Sequence, residues 1–204
     1  MRTIKKVASH IFIDGFGGMT QGLFATLIIG TMIQQIGLLI GGSTGNVIYL
    51  LGKAAAALTS AGIGVGVAVK YGESPLVTVS AAVAAMVGGY AGKITGGTFF
   101  VDGNAVLAGP GEPLGAFIAA FAGITCGHLV SGKTKVDIIV TPVITIGAGS
   151  VVGLLVGPPI SQMMTGLGSI INWATEQRPF IMGIVVSVVM GMVLTLPISS
   201  AALG

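Results

Sequence analysis

Long apolar stretches, each near the length of a membrane-crossing helix, alternate with short polar turns along this chain. A bilayer core takes about 20 apolar residues per helix. Six segments qualify, at roughly 20–41, 47–69, 75–92, 114–131, 138–156 and 180–203. None has the period-two alternation of a membrane β-barrel. The pattern predicts one all-α, polytopic transmembrane domain over residues 1–204, with about six transmembrane helices. The stretch HIFIDGFGG before the first span is short and amphipathic and reads as an interfacial segment. So does Ile160–Arg178, which carries Trp173, the one tryptophan, at an interfacial depth.

Composition supports a lipid-facing protein. Of 204 residues, 53% are hydrophobic and only 7% are charged, with a mean hydropathy of +1.00. A soluble domain carries about 25% charged residues to face water. Net charge is +3. With so few charges, and no basic run interleaved with aromatics, nucleic acid is not the partner this composition suggests. With the N-terminus placed in the cytoplasm, the cytoplasmic loops hold Arg2, Lys5, Lys6, Lys70, Lys133 and Lys135, and the outer loops hold Lys93 and Arg178. That asymmetry obeys the positive-inside rule and predicts a multi-pass protein with a cytoplasmic N-terminus. The basic start lacks the long apolar core and cleavage site of a signal peptide. The single cysteine, Cys126, excludes an intrachain disulfide and a cysteine metal cluster.

Glycine and proline mark where the helices should touch and bend. Gly37/Gly41, Gly88/Gly92 and Gly149/Gly153/Gly157 recur at helical spacing, which predicts close helix packing. Gly62, Gly64 and Gly66 alternate instead and suggest a locally weak helix. IVTPVIT and VLTLPIS each set a proline, Pro142 and Pro197, among hydroxyl residues inside a predicted span. A proline there frees a backbone carbonyl, so broken helices are expected. Paired interruptions of this kind point toward transporter binding sites. AGPGEPLG and VGPPIS read as turns. The connection Lys93–Pro113 is too apolar for an ordinary water-facing loop and is the candidate for a re-entrant segment.

Residues 127–134, GHLVSGKT, match the phosphate-cradling pattern G-x-x-x-x-G-K-[ST] letter for letter. The context is wrong. A P-loop needs a preceding β-strand and a soluble helix behind it, whereas apolar runs of membrane-span length flank this one. The stretch reads better as a tight cytoplasmic turn at Ser131–Val136, with Asp137 opening the next helix where its carboxylate suits the helix dipole.

The remaining chemistry is polar rather than catalytic. Glu112 precedes Pro113 at a predicted helix start, next to a glycine-rich segment, where a carboxylate can accept sugar hydroxyls or carry a proton. Lys53 falls inside a span, with Glu112 or Asp102 as its candidate partner; snorkelling is the plainer account. His128, His10 and Asp14 are further candidates, read as structural first. Gln21, Gln34, Gln35, Asn46, Thr141, Thr145, Thr195, Ser199 and Ser200 lie in or beside spans, suited either to a polyol ligand or to bonds between helices. No spacing resembles a metal site, no Ser-His-Asp arrangement is arguable, and no cofactor is called for.

The stretches HIFIDGFGGMTQGLFATLIIGTMIQQIG, SGKTKVDIIVTPVITIGAG and RPFIMGIVVSVVMGMVLTLPISSAA, with AGPGEPLG and VGPPIS, carry a resemblance over essentially the whole chain. It resembles the membrane component, IIC, of the bacterial sugar phosphotransferase system, in a divergent family that includes proteins described as toxin-gene regulators. Relatives continue with more membrane helices after PISSAA, so the resemblance implies a chain shortened at its C-terminal end. It also implies sugar uptake in the bacterial cytoplasmic membrane, separate IIA- and IIB-type phosphoryl carriers, and a homodimer. No catalytic centre of its own is evident. The expected sugar site uses Glu112, Gln34, Asn46, Thr141 and Thr195. Two other readings stay open: a secondary transporter or channel for another small solute, with Lys53 and Glu112 as the coupling pair, and a membrane regulator or scaffold that transports nothing.

Overall fold

The computed structural model describes residues 10–101, 103–107, 109–175, 182–184 and 187–188. Helix dominates. The elements are α1 (Ile13–Ile40), α2 (Gly42–Ala57), α3 (Thr59–Lys70), α4 (Pro75–Gly89), α5 (Ala91–Thr95), α6 (Pro113–Val130) and α7 (Asp137–Thr175). A two-residue hairpin pairs β1 (Phe100–Val101) with antiparallel β2 (Asn104–Ala105). By length and composition three helices can cross a membrane, α1, α6 and α7, or four if α2 and α3 form one bent span. The apolar α4, with 15 residues, is shorter. Six spans are thus not established, and the sixth segment expected at 180–203 falls almost entirely outside the described residues.

Three helix starts follow local chemistry. Ser74 caps α4 by accepting the Val77 N–H at 3.4 Å, and Pro75 fills the first turn. Pro113 opens α6 in the same way. Asp137 opens α7, as expected. Between α1 and α2 the chain reverses at Gly41 and Gly42, whose φ angles of 66° and 63° favour glycine.

The bundle is α1's N-terminal half, α3, α4, α6 and the first part of α7. Its core joins Phe16, Met19, Ile63, Val67, Val77, Ala81, Phe117 and Ile124. Small residues set the helix spacing. A Cβ on Gly18 or Gly22 of α1 would strike backbone at Gly66 or Gly62 of α3, and one on Gly64 would strike Ala81 of α4. The alternating glycines therefore serve two faces of an intact helix wedged between neighbours, not a weak point. Gly149, Gly153 and Gly157 let α7 lie against α4 and α6, as their spacing predicts. Gly88 meets Gly115, and Gly92 meets Ser161. Gly37 also packs, against Tyr49 of α2, whereas its expected companion Gly41 makes the turn.

The rest of the α1–α2 hairpin, residues 29–57, leaves the bundle as an arm. Its two helices touch each other through Gly30, Gly37, Gly45 and Gly52, the buried positions of the arm. Its outer apolar side chains are exposed, Leu39 to 86%.

Five expectations change here. The single span at 47–69 is two helices meeting at 53° around Leu58. HIFIDGFGG is not a separate interfacial element, because His10–Gly15 winds in wide π-helical turns straight into α1. Ile160–Thr175 likewise continues α7, and the GPP of VGPPIS lies inside that helix and makes no turn. Pro142 does not break α7 either. It removes only the bond to the Ile138 carbonyl, one turn from the helix start, where the preceding turn is free to tilt. Pro197 lies outside the described residues.

Candidate functional site

Glu112 sits at the end of a short strap, Gly109–Glu112, that leads into α6. The strap is tied down from several sides. The Glu112 N–H donates to the Gly89 carbonyl at 2.7 Å. The Ser60 hydroxyl donates to the Pro110 carbonyl at 3.0 Å. The Tyr90 hydroxyl bonds the Gly109 carbonyl and lies 3.3 Å from the Ala57 carbonyl. Gly111 has φ 75° and lies so close to Ser60 that a Cβ would strike its hydroxyl. The strap is therefore held in place by the ends of α2, α3 and α4 together.

The Glu112 carboxyl is half-buried, and burial raises its pKa above the usual carboxylate range. It makes no capping bond to α6. A carboxyl with acceptor oxygens not spent on its own helix can take hydroxyl donors or hold a proton. Close by, Lys93 lies with Nζ 5.4 Å from the centre of the Tyr90 ring, and Phe99 packs on that ring at 5.4 Å. Tyr90 itself is 1% exposed, and burial raises its hydroxyl pKa, so it stays a donor.

The other expected ligands lie elsewhere. Gln34 and Asn46 are in the arm; Gln34 Nε2 reaches back to the Gly30 carbonyl at 3.4 Å, and Asn46 is exposed near the tip. Thr141 is buried one turn into α7, at the opposite end of the bundle from Glu112, and donates to Asp137 Oδ1 at 2.6 Å. Thr195 and Asp102 are outside the described residues. Lys53 is exposed on the arm, and no ion pair joins it to Glu112 among the described residues. So the structure does not gather Glu112, Gln34, Asn46 and Thr141 into one place. Tyr90 and Ser60, which do meet the Glu112 strap, were not singled out by sequence. Their only signal is position: a tyrosine beside a Gly-Gly pair and a serine after an alanine run.

At the opposite end, the turn 71–74 is pinned to α6. His128 Nδ1 lies 3.0 Å from a Glu73 carboxylate oxygen, with the His128 side chain 71% exposed and that of Glu73 only 9%. Ser74 and Ser131 hydroxyls bond at 3.0 Å. Tyr71 packs edge-on against Phe121, and its hydroxyl, pushed up to about 12 by burial and by the nearby Asp14 charge, stays neutral.

The P-loop pattern folds as a turn, as expected. Gly127 is inside α6, and among the described residues no strand precedes it except the distant hairpin β1–β2. The Gly132 N–H that would face a phosphate donates instead to the Asp137 carboxylate at 2.9 Å. That anion already occupies the helix start.

An all-α fold with three or four helices long and apolar enough to cross a membrane defines an integral membrane protein. The family described as Phosphotransferase system, EIIC matches residues 13–204, and the chain belongs to that family. Membership makes it a membrane sugar-transport component that works in general with IIA- and IIB-type carriers. No curated protein and no solved structure matches.

Proposed function

We propose that this chain is the sugar-binding component of a phosphotransferase system in a bacterial cytoplasmic membrane, with its N-terminus in the cytoplasm and two copies forming the working unit. Glu112 is the principal sugar-binding side chain, taking hydroxyl hydrogen bonds at the strap. Separate carrier proteins deliver the phosphoryl group, and the membrane chain binds the sugar and presents it to them. Gln34, Asn46, Thr141 and Thr195 join the site only if a different conformation brings them to the strap. The observation that carries this reading is the half-buried Glu112 carboxyl, held by a backbone strap that it does not itself stabilise with a cap. The coupling pair needed by a proton- or ion-driven secondary transporter, Lys53 with Glu112, is not formed.

A thermal-shift screen against sugars, sugar phosphates and ATP tests the reading, because ligands that bind only the folded state raise its apparent stability. A shift with one sugar class that disappears in Glu112→Gln supports it. A shift with ATP overturns it and revives the GHLVSGKT turn. No shift with any ligand favours the regulator or scaffold reading.

A further inference from the structure

The α1–α2 hairpin has a joint where it leaves the bundle. On one side the helix breaks at Leu58, with φ −86° and ψ 9° and no proline or glycine to cause it. On the other side, α1 widens into π-helical turns over Phe24–Ile28. The glycine contacts put these two irregularities at the same level. Gly22 meets Gly62 just below the break, and Gly30 meets Gly52 and Ala56 just above it. Breaks and π-turns each weaken the regular ladder, and paired across a hairpin they define a line about which it bends.

The break is held by partners. The Thr59 hydroxyl donates to the Ala56 carbonyl at 2.6 Å, and the Leu58 N–H donates to Ala55 at 3.2 Å. The Ala57 carbonyl, freed by the break, faces the Tyr90 hydroxyl. That same hydroxyl bonds Gly109 of the strap, and Ser60, two residues past the break, bonds Pro110. Two side chains thus tie the hinge of the arm to the strap that carries Glu112.

We infer that Tyr90 and Ser60 latch the Leu58 hinge to the Glu112 strap on the bundle side of the joint, so that the strap and its two anchors restrain the swing of the arm of residues 29–57. They are positioning residues. Tyr90 gives its one hydroxyl proton chiefly to the strap carbonyl, with the hinge carbonyl as a longer second acceptor, and the Tyr90 ring keeps Phe99 and Lys93 in place independently of its hydroxyl. The transport role of the strap rests on the function proposed above; the latch itself does not. A 16-residue arm helix is about 24 Å long, so a swing of about 10° moves its tip by about 4 Å. That is large enough to measure.

The test places spin labels at Leu39→Cys in the arm and Val79→Cys on the exposed face of α4, in a Cys126→Ser background, and reads their distance distribution by pulsed electron resonance in lipid nanodiscs. Without any sugar, Tyr90→Phe and Ser60→Ala should each broaden the distribution, and the double variant should broaden it most. Thr125→Val, which removes a hydroxyl bonded within α6 toward the end opposite the strap, should leave it unchanged. If Tyr90→Phe does not fold, Ser60→Ala decides alone. Distributions identical to the parent in the folded latch variants overturn the inference. Where the thermal-shift screen yields a sugar, that sugar should narrow the parent distribution and fail to narrow that of Tyr90→Phe; equal narrowing in both also overturns it. Failure of every sugar to bind counts against the transport reading and leaves the sugar-free comparison to judge the latch.

Discussion

The bundle and the arm are built from the same alphabet of glycine, alanine and branched aliphatics, yet they bury it differently. In the bundle each helix has two or three neighbours, and side chains such as Phe117, Ile63 and Val67 are enclosed. Among the described residues each helix of the arm has one neighbour, glycines occupy the contact, and Met32, Ile36, Leu39 and Leu50 point outward. Close backbone approach alone holds the arm together, which is the packing mode expected where lipid, not water, is the competing solvent. The difference teaches that burial in this protein is a property of neighbour number and that hydrophobicity does not predict it.

Substitutions should separate the two regions. The largest effect is expected at Gly88, where a side chain would strike the Gly115 backbone and the Ala119 methyl. Gly88→Val should abolish folding, because the clash is with backbone that cannot give, read as loss of monodisperse protein on size exclusion. Gly147→Ala, at a helical glycine with no described residue within 4 Å, should be neutral or stabilising by up to about 1 kcal/mol. Next comes Phe117→Ala, which removes the ring stacked on Phe16 at 4.7 Å and should cost about 3–5 kcal/mol by thermal unfolding. Leu39→Ala in the arm should change stability by no more than about 0.5 kcal/mol. Equal losses at Phe117 and Leu39 would break the comparison.

Smaller effects probe the two ends of the bundle. His128→Ala leaves the nearly buried Glu73 carboxylate without its imidazole and should cost about 1–2 kcal/mol by thermal unfolding, a loss that Glu73→Gln should partly relieve in the double variant. The smallest effect concerns Glu112. Its pKa is raised by burial, so the folded protein keeps this proton to higher pH than the unfolded chain does. The stabilisation is complete below the ordinary carboxyl pKa and is lost as pH rises through the raised value. The parent should therefore lose melting temperature relative to Glu112→Gln as pH climbs from about 4 to about 7. Solvent reaches the carboxyl, so the difference should stay within about 1 kcal/mol. A parallel pH dependence in both proteins would show that another group sets it.

Much of the fold was legible because it is encoded locally. Pro75, Pro113 and Asp137 open helices where their chemistry says they should, and the glycine repeats at 149, 153 and 157 mark a real contact. The break at Leu58 was not legible. The run AAAALTS opens with four alanines, the best helix formers, and carries no proline or glycine, and the Ala57 carbonyl that the break frees faces Tyr90, which arrives from 33 residues away. The misreadings at Pro142 and at Pro158–Pro159 have the opposite cause. A local breaker was present, but packing of α7 on α4 and α6 carries the helix through it. The place of Glu112 was readable from Glu-Pro at a helix start. Its companions were not, because Tyr90 and Ser60 act through backbone carbonyls of distant segments, and a carbonyl leaves no mark on the sequence.

The reversal at Gly41 and Gly42 has a practical use. Among the described residues nothing lies within 4 Å of the place a side chain would occupy at either residue, and the turn belongs to the exposed tip of the arm. A short epitope or protease site spliced between them meets no neighbour, and exposed tips of this kind tolerate insertions. The tip is thus a handle by which labelling of intact cells against broken ones would report the side of the membrane the arm occupies, while the bundle is left as it was.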